Sequence, residues 1–287
     1  MTTNPKTIAF QGAHGAYSDV ACRSVFPDLK TIPCNTFDMA FRTLLEGRAD
    51  LAMIPVDNTI AGRVADVHHL MPKGELFIIG EHFQPINHML LGVKGTKISD
   101  LKYVHSHVHA IPQCRKILEK LGVTPIVHAD TAGAAQEIAQ RGDKQHGAIA
   151  SSLAAEIYGL DVLEKEIEDE SHNTTRFLIL SRTEKRPDLS AGNNVMSSFI
   201  FEIRNIPASL YKALGGFATN GISMTKLESY VDANFQAARF YCDVEGHPDS
   251  PALSNAMEEL QFFAKNVRFL GCYPAHPWRK ISARQAS

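Results

Sequence analysis

The sequence predicts an α/β protein of 287 residues, with helices packed on mostly parallel sheet and a smaller βαββαβ domain after them. Three observations predict this. Short apolar, β-rich runs alternate with stretches of helical period through the first 180 or so residues. A polar stretch with Pro187 and Gly192, at 181–194, then reads as a linker. Beyond it the order of runs changes to strand, helix, strand, strand, helix, strand, in a chain long enough to bury two cores.

In order, the run at 7–10 is a strand that enters a Gly turn, and Ser18 with Asp19 reads as the cap of a helix carrying Val20, Ala21, Val25 and Phe26. A helix with Phe37, Ala40, Phe41, Leu44 and Leu45 on one face ends at Gly47 and leads to a buried strand at 51–55. The same grammar recurs at YVHSH plus KILEKLG, at TPIVHAD plus GAAQEIAQRG, and at GAIAS plus SLAAEIYGL. After the linker, strands are expected at 195–203, 223–231, 236–244 and 268–273, with helices at 207–220 and 251–266. This is the ferredoxin-like order. In the third of these strands Phe240, Cys242 and Val244 share one face and Arg239, Tyr241 and Asp243 the other, while Leu253, Met257, Leu260 and Ala264 make a helical stripe.

Composition excludes several functions. With 29 Lys+Arg against 31 Asp+Glu the net charge is −2, so no basic stripe is available to follow a phosphate backbone, and nucleic acid is not an expected partner. Neither a secretory leader nor an apolar run of ~18 residues is present, so the expectation is a soluble cytoplasmic protein with no membrane partner. The five cysteines are scattered without a CxxC pair, which argues for reduced core thiols and against a disulfide framework or a thiolate zinc site.

Gly12-Ala13-His14-Gly15 lacks the GxGxxG spacing, and no GxxxxGK[ST] occurs. Two readings of the turn stay open: backbone N–H groups and the Ser18 hydroxyl facing an anion at a helix start, or a plain capped turn. His105, His107 and His109 would share a strand face, but the strand is expected to break near Ser106 and no carboxylate or thiolate lies at ligand spacing, so no metal is assigned. His68-His69 falls on an amphipathic helix. G-x-S-x-G is absent, and the acidic run from Glu164 to Glu170 reads as a solvated surface.

SHNTTRF, at 171–177, places hydroxyls and amides at the mouth of the buried strand that continues as Leu178-Ile179-Leu180. The PVDNT run at 55–59 and the stretch from Ser106 to Gln113 do the same at two other strand ends. Ligands of open α/β sheets sit at the carboxyl ends of strands, so three such ends rich in neutral donors imply one small polar ligand.

The ordered set GAHGAYS, PVDNT, the Ser-His segment ending in PQC, DTAGAA, GAIASSLAAEIYGL and NTTRF, followed by PASLYKALGGFATNGISMTKLES and FYCDVEGH, resembles prephenate dehydratase with a C-terminal ACT regulatory domain. The resemblance covers 8–273. It implies a catalytic region at 1–182 folded like a two-lobed type II periplasmic binding protein, one lobe combining 1–82 with 174–182 and the other 83–173. A linker at 183–194 and an ACT domain at 195–280 would follow. It also implies decarboxylative dehydration of prephenate to phenylpyruvate without a cofactor. Thr175 would serve as donor to the departing hydroxyl, with Asn58, Ser106 and Gln113 orienting substrate and Arg176 as the nearby charge. Thr174, Ser18 and Thr59 are further candidates.

For the second domain the resemblance implies phenylalanine as effector near Ala208, Ser209 and Leu210 and near Asn220, Gly221, Ile222 and Ser223, at the interface of a homodimer or homotetramer. The chain departs from the family pattern at Asp57, where Glu is usual, at Val108, where Pro is usual, at Ala208-Ser209-Leu210 in place of Gly-Ala-Leu, and at Glu228-Ser229-Tyr230-Val231 in place of Glu-Ser-Arg-Pro. Arogenate dehydratase and a non-catalytic two-lobed sensor are the competing readings.

Overall fold

The computed structural model describes residues 6–64, 67, 70, 71, 75–191, 194–204, 206–231 and 237–280. The chain forms two compact units, one combining residues 1–74 with 82–178 and the other 75–81 with 179–287. The segments 75–81 and 179–182, expected in the first lobe, thus group with the C-terminal unit. The His68-His69 pair and Gln236 lie outside the described residues.

The first unit is built on two mixed sheets, each the floor of one lobe. In one, β1 (Thr7–Gln11) pairs in parallel with β2 (Lys30–Cys34) and β3 (Leu51–Asn58). With β5 (Phe77–Pro85) and β11 (Thr174–Ser181) the strand order is β2-β1-β3-β11-β5, and the short β4 (Gly62–Arg63) pairs on β3. β5 and β11 each carry residues of both units. The other sheet has the order β10-β6-β9-β7-β8, from β6 (Met89–Gly92), β7 (Tyr103–His107), β8 (Thr124–His128), β9 (His146–Ala150) and β10 (Asp161–Glu164). β7 is parallel to β8 and β9. β7 ends at His107, beside the break expected near Ser106, and leaves His109 outside the strand.

Among the described residues, these strands are joined by α1 (Tyr17–Val25), α2 (Phe37–Leu45), α3 (Arg115–Leu121), α4 (Thr131–Arg141) and α5 (Ser152–Tyr158). Their ends obey local chemistry. Thr36, Asp130 and Ser151 cap α2, α4 and α5 by accepting a backbone N–H of the first turn, and Gly122, Gly142 and Gly159 end α3, α4 and α5 in left-handed conformation. Ser18 is not the cap of α1: Ala16 holds that position without a side-chain bond, and Ser18 is buried one residue inside the helix. Asp19 organises the turn instead, accepting from the Gly15 amide at 2.9 Å. All five cysteines are free and buried, as expected.

In the second unit, β12 (Val195–Ile203), α6 (Ser209–Thr219), β13 (Met224–Val231), β14 (Ala237–Glu245), α7 (Pro251–Phe263) and β15 (Ala264–Pro274) form an antiparallel sheet of order β13-β14-β12-β15 with both helices in sequence. This is the ferredoxin-like arrangement. α7 stops three residues short of the expected end, and β15 begins at once. Phe199, Phe201, Phe217 and Phe240 fill the core with Cys242, Val244, Leu253 and Leu260, each large side chain contributing about 1.5–3 kcal/mol. The opposite sheet face is also buried: Ser198 donates to the fully buried Asp243 and lies 2.8 Å from the Tyr273 hydroxyl.

Contacts of Ile78 and Glu81 join 75–81 to the rest of this unit. A Cβ at Gly271 would fall 2.0 Å from the Ile78 carbonyl oxygen, so only glycine allows the approach. The buried Glu81 carboxylate takes Arg279 in a fork, Nε to Oε1 at 2.6 Å and Nη2 to Oε2 at 2.8 Å, and also the His276 amide at 3.1 Å.

Ala208, just before α6, has φ +59°, a conformation that costs a side-chain-bearing residue ~1–2 kcal/mol. Ala208→Gly is therefore expected to raise the thermal midpoint by about 2–4 °C in calorimetry, part of the gain being offset by glycine's larger unfolded-state entropy. An unchanged or lower midpoint would contradict the strain.

Candidate functional site

β3 and β11 run side by side, and their carboxyl and amino ends bring two polar segments together. Along each strand successive side chains alternate in face. Thr175 of β11 and Asn173, just before the strand, therefore meet Asn58 of β3 on one face, while Arg176 and Asp57 share the other. Asn58 Nδ2 donates to Asn173 Oδ1 at 2.8 Å and to Thr175 Oγ1 at 2.9 Å. Asn173 Nδ2 donates to Gln113 Oε1 at 2.8 Å, and His88 Nε2 meets the same oxygen at 3.0 Å. Tyr17 completes the chain, its hydroxyl 3.0 Å from His88 Nδ1 and 2.8 Å from the Asn87 carbonyl oxygen, the two acceptors within reach of its single proton.

From Asn58 to His88 the direction of the protons follows from one end. The backbone N–H groups of Ile60 and Ala61 both donate to Asn58 Oδ1, at 2.9 and 2.7 Å, so the Asn58 NH₂ must face Asn173 and Thr175. Asn173 then presents its oxygen to Asn58 and its nitrogen to Gln113. Gln113 presents its oxygen to both Asn173 and His88, so His88 carries its proton on Nε2. Burial holds the His88 pKa below the usual histidine value, against the opposing pull of the Gln113 bond and of Glu168. It holds the Tyr17 phenol well above its usual value, with Cys114 and Glu168 adding to the effect.

The consequence is chemical. Thr175 Oγ1 accepts a bond from Asn58, which leaves its own O–H proton to be donated elsewhere. Both Asn58 amide protons are spent inside the protein, so Asn58 acts on Thr175. Gln113 has its oxygen doubly occupied and its NH₂ turned away from the chain. Such an array can donate neutral hydrogen bonds to a departing or developing oxyanion with little reorganisation.

The sequence-derived candidates divide accordingly. Thr175, Asn58 and Gln113 are brought into one network. Ser106 is fully buried and donates to the Ile149 carbonyl at 2.7 Å, tying β7 to β9. Arg176 is 6 % exposed on the other face of β11, its Nη1 3.9 Å from Asp57 Oδ2. Thr59 donates to the His172 carbonyl at 2.8 Å and accepts the Thr174 amide at 2.9 Å, so Thr59 and Thr174 brace the loop through backbone bonds. Among the described residues no hydrogen bond joins Ser18, buried within α1, to the network. In the second unit 208–210 and 220–223 lie at opposite ends of α6, roughly 16 Å apart at 1.5 Å per residue. One copy of the chain cannot close both around one amino acid.

Asn173, His88 and Tyr17 were missed by sequence reasoning. Asn173 had a signal, since two residues before Thr175 is the same strand face. His88 and Tyr17 had none, because their partners are far away in sequence. The acidic run is more structural than expected: Glu168 accepts the His88 amide at 2.7 Å, and Asp169 accepts the Arg115 and Lys116 amides at 3.1 and 3.2 Å. His105 and His146 pair at 2.9 Å, and no group of three possible metal ligands occurs among the described residues. No helix among them is long and apolar enough to cross a membrane.

The profile of the family described as prephenate dehydratase matches residues 8–185. The chain is 48 % identical over 278 residues to a bifunctional N-acyl-homoserine lactone acylase/prephenate dehydratase of Komagataeibacter europaeus, covering 96 % of this chain and 98 % of that one. It is 39 % identical over 282 residues to arogenate dehydratase/prephenate dehydratase 1 of Arabidopsis thaliana, a chloroplastic protein, covering 93 % of this chain and 71 % of the relative. The crystal structure of prephenate dehydratase in complex with L-Phe from Arthrobacter aurescens superposes with a TM-score of 0.86 at 27 % identity, over 98 % of this chain and 97 % of that one. On the strength of the network at Thr175 and of these matches, the chain belongs to the prephenate dehydratase family of enzymes.

Proposed function

We propose that the protein converts prephenate to phenylpyruvate, water and carbon dioxide, with Thr175 as donor to the departing ring hydroxyl. The bond from the ring to its carboxylate breaks, its electron pair enters the ring, and the ring C–O bond breaks as the oxygen takes the Thr175 proton, which solvent water then replaces. Aromatisation drives the step. The carrying observation is the Asn58 Nδ2 bond to Thr175 Oγ1, which turns the threonine proton outward. A threonine is a weak acid, so orientation and electrostatic assistance carry the load, with Gln113 NH₂ as a second donor to the substrate. Incubating the purified protein with prephenate and with arogenate, and following phenylpyruvate and phenylalanine by absorbance and chromatography, tests the reading. A higher kcat/KM for arogenate would assign the amino substrate instead.

Gln113→Glu keeps an acceptor for Asn173 and His88 but removes the NH₂ and adds negative charge. It is expected to raise KM for prephenate about 10–100-fold, the equivalent of losing ~1.5–3 kcal/mol of hydrogen bonding to a charged group. Steady-state kinetics at constant pH would show it, and an unchanged KM would place Gln113 away from substrate.

Phenylalanine is the proposed effector, supported by the L-Phe complex of the Arthrobacter aurescens relative. The separation of 208–210 from 220–223 along α6 supports a site shared between two copies in a homodimer or homotetramer. A second activity is favoured by the 48 % identity, over nearly both full lengths, to a relative that is also an N-acyl-homoserine lactone acylase. Hydrolysis of such an amide by this chain is the second reading.

A further inference from the structure

The first unit holds a cavity of about 590 Å³, lined by residues of both lobes and by none of the residues of the Thr175 network. His14 lines it from the β1–α1 turn; Asn35, His128, Gln136, Glu137 and Gln140 line it from elsewhere. His14 is the unusual member. Its Nδ1 lies 3.4 Å from Oδ2 of Asp19, whose side chain is wholly buried, while the His14 side chain is 41 % exposed. Asp19 is fixed by the Gly15 amide at 2.9 Å and by Arg23 Nε at 3.1 Å. The turn is locked in place: Tyr158 donates to the His14 carbonyl at 2.8 Å, Ser151 donates to the Gly15 carbonyl at 2.5 Å, and a Cβ at Gly15 would lie 2.7 Å from Ala154 Cα. By contrast His128 has both ring nitrogens engaged, with the Asp130 carbonyl at 3.2 Å and with Glu137 at 3.2 Å.

A histidine oriented by a buried carboxylate through Nδ1 presents its Nε2 lone pair as a general base. We infer that this cavity is a hydrolytic site for N-acyl amides, distinct from the dehydratase site, with His14 as base and Asp19 as the residue that positions it. The inference rests on the acylase reading above and gives it a location. Nε2 takes a proton from water as the water oxygen adds to the amide carbonyl carbon. The C–N bond then breaks and the imidazolium returns the proton to the departing amine, so amide and water become carboxylic acid and amine. The carboxamides of Asn35, Gln136 and Gln140 supply donors to polarise the carbonyl.

The test uses the full-length protein and N-octanoyl-homoserine lactone, with octanoic acid and free homoserine lactone measured by mass spectrometry, alongside prephenate turnover. His14→Gln and His14→Ala are expected to lower amide hydrolysis about 10²-fold or more, the usual contribution of a general base, while prephenate turnover stays within twofold. Thr175→Ala is expected to do the reverse. Asp19→Asn should lower kcat for hydrolysis with little change in KM. A wild-type protein that releases no octanoic acid removes the acylase reading itself. A wild type that hydrolyses while His14→Gln hydrolyses equally well overturns only the site. Joint loss of both activities in His14→Gln and His14→Ala, or in Thr175→Ala, overturns the separation of the two sites.

Discussion

Thr175→Ala lowers kcat for prephenate by about 10²–10³-fold, the usual cost of removing one donor aimed at developing charge. The fold is expected to tolerate the change, because Thr175 is only partly buried and loses one hydrogen bond, from Asn58. Thr175→Ser keeps the hydroxyl and the Asn58 bond but loses the methyl that limits its rotamers, so part of the rate survives. Equal losses in the two variants would remove the hydroxyl-donor role. Asn58→Ala should lower kcat with less change in KM, because Asn58 spends both amide protons inside the protein and acts by turning the Thr175 proton outward. If Asn58→Ala raised KM with kcat intact, Asn58 would be a direct substrate contact after all.

The largest expected effect on stability lies far from this chemistry. Glu81→Ala leaves the Arg279 guanidinium without its carboxylate where its side chain is 17 % exposed. Breaking one partner of a buried pair typically costs about 3–5 kcal/mol, measurable as a lowered midpoint in urea. A double variant, Glu81→Leu with Arg279→Met, removes both charges and should recover most of the loss. A Glu81→Ala midpoint within error of the wild type would mean that water or another carboxylate compensates the guanidinium.

Much of the fold was legible because its rules are local. Thr36 and Ser151 cap helices, Gly122, Gly142 and Gly159 end them, and the alternation of Phe240, Cys242 and Val244 identified the core face of β14. The cap of α1 was misread because Ser18 and Asp19 are both capping types, and which of them reaches the turn depends on the path the glycines at 12 and 15 allow. The break expected near Ser106 comes at His107, but the partner of the buried Ser106 hydroxyl, the Ile149 carbonyl 43 residues away, is set by non-local pairing.

At the candidate site the same division holds. Thr175, Asn58 and Gln113 carry side chains that announce hydrogen bonding and sit at strand ends, so residue type and position sufficed to single them out. That Ser106 turns into the sheet, that Arg176 faces away from Thr175 toward Asp57, that Asn173 links Gln113 to Asn58 and that His88 links Gln113 to Tyr17 could not be read from the chain.

By itself the sequence determined the alternation of strands and helices, the change to a βαββαβ unit, and the neutral donors at the strand mouths, since periodicity, capping and side-chain chemistry act over a few residues. Only the tertiary structure decided which donors meet, which are spent on each other, and which way their protons point. Hydrogen-bond direction propagates through contacts between segments up to 117 residues apart, starting from two backbone amides that hold Asn58.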